Sequence, residues 1–443
     1  MRSDDHGSLG RQNYESNRRL SSQKGHLLRR LPLWTILAGC FFFIIAFLFF
    51  IGSRFPGYLS QAGHTPVDNT KLSSSSLHLS KETLPPLLNR SDLDLDNPQD
   101  HITLENEGIL LTAELSLDTG LQKYILRLLR RSRTLKAAVV ALDPNDGSTL
   151  ALASYNSKGV RENVCLQADF PAASIFKIVS AAAAMELAGF TPDQPVSFKG
   201  RKHTLYKKQL EEGGGRYVSE TSLRRAFASS INSVFGKLGI HYLGKDVLGE
   251  YAGKFLFDRP IPFDLPVEMS TAQVPNDDFG LAEFASGFNK TTHISPLHAG
   301  MLTATIANNG VMMTPFLVER VLSQSGEVLY RNRSALLASS ISMGTAKDLK
   351  VLMGDTVAYG TCRKSFRLLR RKKVFKGFEF GAKTGTINNS TDTLKYDWIT
   401  AYAIPGNRKN MLSIAVLCVH GEKLGTRASE LGRCIINYYY TAS

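Results

Sequence analysis

Serine and lysine side chains that could carry out acyl transfer occur on a short apolar stretch in the first half of the chain. Ser174 and Lys177 are three residues apart in the Ala-rich stretch 170–185, which the sequence predicts to be a buried helix. Residues at this spacing leave a helix on the same face as neighbours. Desolvation lowers the pKa of a lysine, and a neutral lysine can accept the proton of a serine nucleophile. The pair therefore suits a serine nucleophile with a lysine base, but by itself it favours the alternative of a helix-start serine followed by an unrelated surface lysine.

A second copy of the Ser-x-x-Lys pattern, at Ser21 and Lys24, shows that this spacing alone has little specificity. Two further polar motifs follow Ser174 in the chain. They are Ser230-Ile231-Asn232 and Lys383-Thr384-Gly385-Thr386. Taken singly, Ser230 also fits a helix cap and Lys383 an exposed strand end. The three motifs together favour the catalytic interpretation, because this order is the one found in penicillin-binding proteins and class A β-lactamases.

On these motifs the chain resembles the penicillin-binding transpeptidase domain, a member of the serine acyl-transferase superfamily that includes the serine β-lactamases. The likeness covers about residues 108–440. Further segments that match the family's pattern are 117–122, 140–147, 295–297, 306–310 and 360–361. Ala173 departs from that pattern, since the family often has glycine before the nucleophile. Because no glycosyltransferase domain precedes the matched region, the resemblance implies a monofunctional protein.

The resemblance implies a role for each residue of the first two motifs. Ser174 is expected to attack the carbonyl between the two terminal D-alanines of a stem peptide, and Lys177 to accept its proton. Ser230 is expected to relay the proton to the leaving amine. Asn232 is expected to bond a substrate amide or to orient Lys177. The backbone N–H groups of Ser174 and Thr386 would form the oxyanion hole.

The third motif is expected to bind the substrate. Lys383 supplies positive potential near Ser230. The hydroxyls of Thr384 and Thr386 suit the carboxylate of the terminal D-alanine or of a β-lactam. Gly385 lets the substrate lie close to the strand.

The elements that would position these motifs indicate an α+β fold. Residues 137–153 hold two apolar runs joined by Asp-Pro-Asn-Asp-Gly, which predicts a β-hairpin. Apolar periodicity predicts a helix over 119–131 and another over 221–230. The final third is predicted to form strands at 378–386, 398–404 and 412–419 and then a helix at 424–440. Helices flanking hairpin-connected strands imply an antiparallel sheet covered by helices.

The N-terminal residues predict a single membrane anchor. Residues 31–53 contain no charged side chain and are long enough, at about 1.5 Å per residue, to cross a hydrocarbon core of roughly 30 Å. The polar segment 1–30 ends in Arg29-Arg30, which predicts a cytoplasmic tail by the positive-inside rule. The sequence 37–40 resembles a lipoprotein cleavage box, but Cys40 is followed by ten more apolar residues. The prediction is therefore an uncleaved anchor, with the rest of the chain outside the cytoplasm. With the family resemblance, this implies a bacterial inner membrane and a catalytic domain in the periplasm.

Composition divides the rest of the chain into two parts. Residues 54–106 are rich in serine, proline and aspartate, which predicts a linker or small pedestal. Residues 107–443 are predicted to form the transpeptidase domain. Within it, the strongly basic segment 361–380 is interpreted as a solvated hairpin, with contact to anionic lipid or to an acidic partner as the alternative.

Composition also bears on partners and cofactors. The net charge of +14 suggests an acidic partner, but no finger, RNP-like or basic-zipper motif supports nucleic acid. The five cysteines form no C-x-x-C pair, and the ten histidines form no metal-ligand cluster. We therefore expect no cofactor, no metal and no nucleic-acid partner. The expected partners are peptidoglycan stem peptides and β-lactams, with other cell-wall synthesis or division proteins as further candidates.

Three functions compete with a transpeptidase. A D,D-carboxypeptidase differs only in using water as the acyl acceptor, which the motifs do not distinguish. A β-lactamase needs a base for hydrolysis, and Glu283 lies between the second and third motifs but outside a Glu-x-x-Leu-Asn pattern. The third alternative is a membrane-anchored β-lactam sensor or scaffold, which the intact motifs disfavour.

Overall fold

The computed structural model describes residues 79–211 and 218–442 of the chain. The predicted cytoplasmic tail at 1–30, the predicted membrane helix at 31–53 and residues 54–78 of the predicted linker lie outside these ranges. Within the two described ranges, no helix combines the length and the apolar character that crossing a bilayer requires.

Helices occur along the whole described part of the chain. They are α1 (Leu84–Leu88), α2 (Thr119–Arg130), α3 (Lys177–Ala188), α4 (Lys207–Leu210), α5 (Leu223–Ala228), α6 (Asn232–Lys237), α7 (Gly244–Lys254), α8 (Asp278–Ser286), α9 (Pro296–Ala307), α10 (Met343–Ala358), α11 (Arg363–Arg371) and α12 (Ala428–Thr441). Several begin at a side-chain cap: Asp118, Ser295 and Ser342 each accept a hydrogen bond from the backbone N–H three residues on. The helix predicted at 119–131 is thus confirmed as α2.

The strands form two main sheets and two short ribbons. They are β1 (His101–Asn106), β2 (Ile109–Leu115), β3 (Lys136–Leu142), β4 (Thr149–Asn156), β5 (Pro195–Lys199), β6 (Val218–Ser222), β7 (Val311–Met313), β8 (Val318–Leu322), β9 (Val328–Arg331), β10 (Leu336–Ser339), β11 (Glu379–Asn388), β12 (Lys395–Ile404) and β13 (Leu412–His420). The predicted hairpin at 137–153 is confirmed as β3 and β4.

The central sheet has the order β11-β12-β13-β3-β4 and is antiparallel throughout. Strand β13 is buried along its whole length, as expected for a continuous apolar run in the middle of a sheet. Strand β11 lies at one edge, so part of its backbone has no neighbouring strand. Lys383 pairs with Thr400 in its register, which places the third motif on this edge. The predicted antiparallel α+β architecture is confirmed.

Helices cover both faces of the central sheet. On one face α9 packs against β12 and β13, where Thr400 Oγ1 donates to Ala299 O at 3.1 Å and Ser413 Oγ to Gly300 O at 2.9 Å. On the other face α2, α11 and α12 share an apolar cluster with the sheet. Helices α3, α5 and α6, which adjoin the first two motifs, and α8 belong to the cluster on the α9 face. The three motifs therefore meet where that helical layer contacts the sheet.

Part of the predicted linker is integral to the fold. Strand β1 pairs with β2, and both join β8 and β9 in a four-stranded sheet. The predicted boundary at 106 and 107 falls in the turn between β1 and β2. Five aliphatic side chains before that boundary are buried, namely Leu84, Leu87, Leu88, Ile102 and Leu104. The folded unit therefore extends at least to α1.

The basic segment 361–380 is a helix followed by a short 3₁₀ turn, so the hairpin interpretation was wrong. Helix α11 occupies Arg363–Arg371, and the turn occupies Lys373–Phe375. Phe366 and Leu369 are three residues apart and both buried, which is helical rather than strand spacing. A helix buries both side chains against α12 and leaves the cations exposed to solvent, which favours a helix over a hairpin here.

Candidate active site

Ser174 lies in a 3₁₀ turn, Ala173–Phe176, that leads directly into α3. The sequence predicted one regular helix here, whereas the backbone bends because Ala173 adopts a left-handed conformation at φ 49°. Trp398 on β12 fixes the start of this turn, since its Nε1 donates to Pro171 O at 3.0 Å. Ser174 is the second residue of this turn and is partly exposed, while its neighbours are buried. The nucleophile predicted from the sequence is therefore accessible on a rigid support.

Lys177 is fully buried at the first position of α3. Its Nζ donates to Ser174 Oγ at 2.8 Å, to Asn232 Oδ1 at 2.8 Å and to Ser286 O at 2.5 Å. Burial, and next the charge of Lys383, hold the pKa of Lys177 well below its usual value. A neutral amine 2.8 Å from a hydroxyl can accept its proton.

The second motif joins α5 to α6. Ser230 sits in the turn with φ 54°, and Asn232 is the first residue of α6. Besides contacting Lys177, Asn232 donates through Nδ2 to His203 O at 3.0 Å. Both ends of the amide are thus bonded, which fixes its oxygen toward the lysine. The structure places Asn232 Oδ1 at 2.8 Å from Lys177 Nζ, as its predicted role of orienting the lysine requires. The other predicted role was contact with a substrate amide.

Lys383 faces the second motif from the sheet. Its side chain is fully buried, and its Nζ donates to Ser230 Oγ at 3.0 Å. Burial lowers the pKa of Lys383 to about 7, against a small opposing effect from the Cys362 thiol. The ammonium is therefore close to the point at which it loses its proton at neutral pH. Two buried lysines, each bonded to a different serine, meet in one site.

The remaining residues of the third motif lie along the edge strand. Thr384 Oγ1 and Thr361 Oγ1 are 2.6 Å apart, and Thr386 Oγ1 donates to Asp397 Oδ1 at 3.2 Å. A Cβ at Gly385 would lie 3.2 Å from the backbone nitrogen of Ser174. Glycine therefore permits the close approach of the strand and the nucleophile's turn.

Three supports of the site were missed by the sequence reasoning. The Ser286 carbonyl accepts from Lys177, and Gly287 follows it in a left-handed conformation directly against the Ala173 carbonyl. Trp398 anchors the nucleophile's turn. Only Gly287 had a local signal, as a glycine closing an apolar helix. The other two depend on contacts between distant parts of the chain.

The other candidate residues lie differently. Glu283 is half-buried on α8, and burial, followed by the nearby Asp277 charge, raises the pKa of its carboxyl. Its carboxylate makes no hydrogen bond to Ser174 or Lys177 in the described structure. In the described ranges no group of three or more histidine, cysteine, aspartate or glutamate side chains could hold a metal ion.

Fold and side chains together define a protein with a serine–lysine site at the edge of a helix-covered antiparallel sheet. The family model for the penicillin binding protein transpeptidase domain matches residues 137–433, and the chain belongs to that family. The resemblance drawn from the three motifs is thereby confirmed.

Two curated relatives carry matching names. The peptidoglycan D,D-transpeptidase PbpA of Mycobacterium tuberculosis is 29% identical, and the match covers 68% of this chain and 66% of that protein. The peptidoglycan D,D-transpeptidase MrdA of Haemophilus influenzae is 25% identical, covering 73% of this chain and 56% of that protein. The chain thus spans just under two thirds of the PbpA relative's length and a little over half of the MrdA relative's.

A solved structure has the same fold. The crystal structure of PBPA from Mycobacterium tuberculosis superposes with a TM-score of 0.60 at 25% identity. The match covers 73% of this chain and 81% of that one.

Proposed function

We propose that the protein is a membrane-anchored serine D,D-transpeptidase that cross-links peptidoglycan stem peptides through an acyl-enzyme on Ser174. The observation that carries the proposal is the buried Lys177 amine, 2.8 Å from Ser174 Oγ and with a lowered pKa. Family membership and the names of the PbpA and MrdA relatives support the substrate class.

Acylation begins with attack by Ser174 Oγ on the carbonyl carbon between the two terminal D-alanines. The hydroxyl proton passes to the neutral amine of Lys177, held in place by Asn232 and by the Ser286 carbonyl. The tetrahedral oxyanion is stabilised by the backbone N–H groups of Ser174 and Thr386. Losing one such donor typically slows an enzyme by roughly 10²–10³-fold.

The oxyanion then collapses and the peptide C–N bond breaks. Ser230 relays a proton to the leaving nitrogen, and free D-alanine departs. Its contact with Lys383 at 3.0 Å supports this path, because a cationic donor makes the Ser230 hydroxyl a better acid. In the second half-reaction an acceptor amine attacks the ester carbonyl and loses its proton to the same groups. Ser174 leaves with its hydroxyl restored.

The edge position of β11 supports the proposed mode of substrate binding. An extended peptide can pair with the unpaired backbone of an edge strand, and Gly385 leaves room for it. The hydroxyls of Thr384 and Thr386 and the charge of Lys383 would receive the terminal carboxylate. A β-lactam carboxylate would occupy the same position.

The anchor and its topology are further parts of the proposal. Residues 31–53 would span the inner membrane, residues 1–30 would lie in the cytoplasm, and residues 107–443 would act in the periplasm. The support is the uncharged 23-residue segment and its flanking Arg29-Arg30. The substrate partners would be stem peptides and β-lactams.

The decisive experiment follows acylation and product formation in the wild type, Ser174→Ala and Ser21→Ala. Ser21 is a matched control, because it belongs to the second Ser-x-x-Lys copy. We expect fluorescent penicillin to label the wild type and Ser21→Ala but not Ser174→Ala. A pentapeptide with an amine acceptor should yield cross-linked product and free D-alanine.

Other outcomes contradict the proposal in distinct ways. Free D-alanine without cross-linked product would indicate a D,D-carboxypeptidase. Rapid turnover of the drug would indicate a β-lactamase. Stable labelling without any peptide product would indicate a β-lactam sensor. A wild type that never acylates contradicts all three enzymatic readings.

A further inference from the structure

Helix α11 and the turn after it carry a continuous basic surface, here called the basic face. All eight of its cationic side chains are exposed to solvent. They are Arg363, Lys364, Arg367, Arg370, Arg371, Lys372, Lys373 and Lys376. At about 100° per residue, the five on the helix fall within an arc of roughly 120°. The charges therefore form one stripe rather than a ring.

The basic face has little acidic compensation. No aspartate or glutamate occurs between Asp355 and Glu379, and Asp355 is already paired with Arg224 and Arg225. Within the described residues, none of the eight cations forms an ion pair. Like charges at helical neighbours, and cations at a helix N-terminus, are both unfavourable. The fold therefore maintains a concentrated charge that its own residues do not neutralise.

The basic face begins beside the candidate active site. Thr361, two residues before α11, contacts Thr384 through their hydroxyls at 2.6 Å. After the basic turn the chain enters β11, the edge strand that carries the third motif. The basic face therefore adjoins the third motif at the Thr361–Thr384 contact, while α11 itself packs with α2 and α12 on the other face of the central sheet.

A groove continues the basic face toward α2 and α12. Its volume is about 360 Å³. Lys364 of α11 lines it together with Arg131 and Arg433, and Leu368 and the acidic Glu430 are also in its lining. Cations from α11, from α12 and from the residue that follows α2 thus line one groove.

We propose that the basic face is a docking surface for a polyanionic peptidoglycan strand that bears several stem-peptide carboxylates. The inference rests on the proposed function and names its substrate class as the polymer rather than a free peptide. Electrostatic attraction holds the strand near the site, while acylation at Ser174 needs none of these cations. A short substrate or a β-lactam does not reach the basic face, so the cations do not increase its affinity or its rate of acylation.

The test uses the full chain in detergent and a variant with Arg367, Arg370, Arg371 and Lys373 changed to glutamine. A matched control removes four exposed cations elsewhere, with Lys158, Arg331, Arg333 and Lys347 changed to glutamine. Binding of soluble, uncross-linked peptidoglycan strands is measured at several salt concentrations. Labelling by fluorescent penicillin and the Tm are measured for all three proteins.

We expect the basic-face variant to bind the strands at least about tenfold more weakly at low salt, with a shallower salt dependence. Its labelling by penicillin and its Tm should match those of the wild type, since only exposed like charges are removed. The control variant should bind as the wild type does.

Several results would overturn the proposal. One is equal strand binding by the basic-face variant and the wild type, and another is an equal loss in the control. Charge-dependent binding to vesicles containing phosphatidylglycerol, without such binding to the strands, would assign the surface to a membrane instead. Failure of penicillin labelling in all three proteins would contradict the proposed function. The comparison of strand binding by the three proteins would still test the docking surface independently.

Discussion

Burial lowers the pKa of both lysines of the site, with a different consequence for the charge of each. The pKa of Lys177 is well below its usual value, and its neutral amine can donate to Asn232 Oδ1 and the Ser286 carbonyl. Its lone pair then remains for the Ser174 hydroxyl at 2.8 Å, as the proposed role of a base requires. Lys383 has a pKa of about 7, so its charge changes in the physiological range. Burial penalises the charged form of both, and the charge of Lys383 further penalises that of Lys177.

These pKa values predict a bell-shaped pH profile for acylation by a β-lactam. Below the lowered pKa of Lys177 the base is protonated and acylation falls. Above about pH 7 Lys383 becomes neutral, and the attraction for the drug's carboxylate is lost. Lys383→Arg should abolish the basic limb, since a guanidinium stays charged. The measurement is the second-order acylation rate between about pH 5 and pH 10, which includes both sides of the Lys383 titration.

The shape of this profile is the readout, because the arginine could lower the rate at every pH. A basic limb that persists at the same pH in Lys383→Arg would show that another group titrates there.

At the scale of elements, the nucleophile's turn is held between a helix end and a strand. Ala173 has φ 49°, which is unfavourable for a residue with a side chain and persists only under strong support. Gly287, at the end of α8, packs against its carbonyl, while Gly385 on β11 approaches the Ser174 nitrogen. Gly287 is therefore required both by packing and by its φ of 65°, whereas packing alone favours glycine at 385.

Gly287→Ala is expected to displace the turn. A Cβ there would overlap the Ala173 carbonyl, so we expect a loss of at least about 3 kcal/mol in unfolding free energy and an acylation rate at least about tenfold lower. The matched control is Gly189→Ala, at the end of α3 with φ 67° and no atom within 4 Å of the new Cβ. Its strain alone should cost about 1 kcal/mol, with normal acylation. Denaturant unfolding and penicillin labelling give both quantities, and equal effects of the two changes would contradict the packing role.

The whole molecule is larger than the matched family region. Helix α1 and strand β1 contribute Leu84 and Leu104, both completely buried, to the same apolar cluster as the motif-bearing helices. Strand β1 also covers β2, which would otherwise present an open edge. The N-terminal segment is therefore part of the structure that supports the site.

A chain that starts at residue 107 is expected to be less stable than one that starts at residue 79. It lacks five buried aliphatic side chains, each contributing about 1.5–3 kcal/mol when fully buried, so we expect a loss of roughly 5 kcal/mol or more. Thermal unfolding and solubility of the two chains measure the difference. Equal Tm values would show that residues 79–106 do not stabilise the domain, and would support the boundary predicted at 107.

The local signals in the sequence were sufficient for the parts of the fold that depend on neighbours in the chain. Helix α2 and the β3–β4 hairpin follow from apolar periodicity and turn residues, which act over a few positions. The same spacing rule placed Ser174 beside Lys177. The hairpin interpretation of 361–380 failed because it rested on the run of cations and overlooked the helical spacing of the buried Phe366 and Leu369.

By itself, the sequence determined the order of the three motifs, the family and the antiparallel α+β class. Only the tertiary structure decided that Lys177 is fully buried, that the Ser286 carbonyl holds it, and that Lys383 reaches Ser230 across 153 positions of the chain. The physical reason is that desolvation and hydrogen bonding at the site depend on which distant segments pack together. Local residue patterns carry no record of that packing.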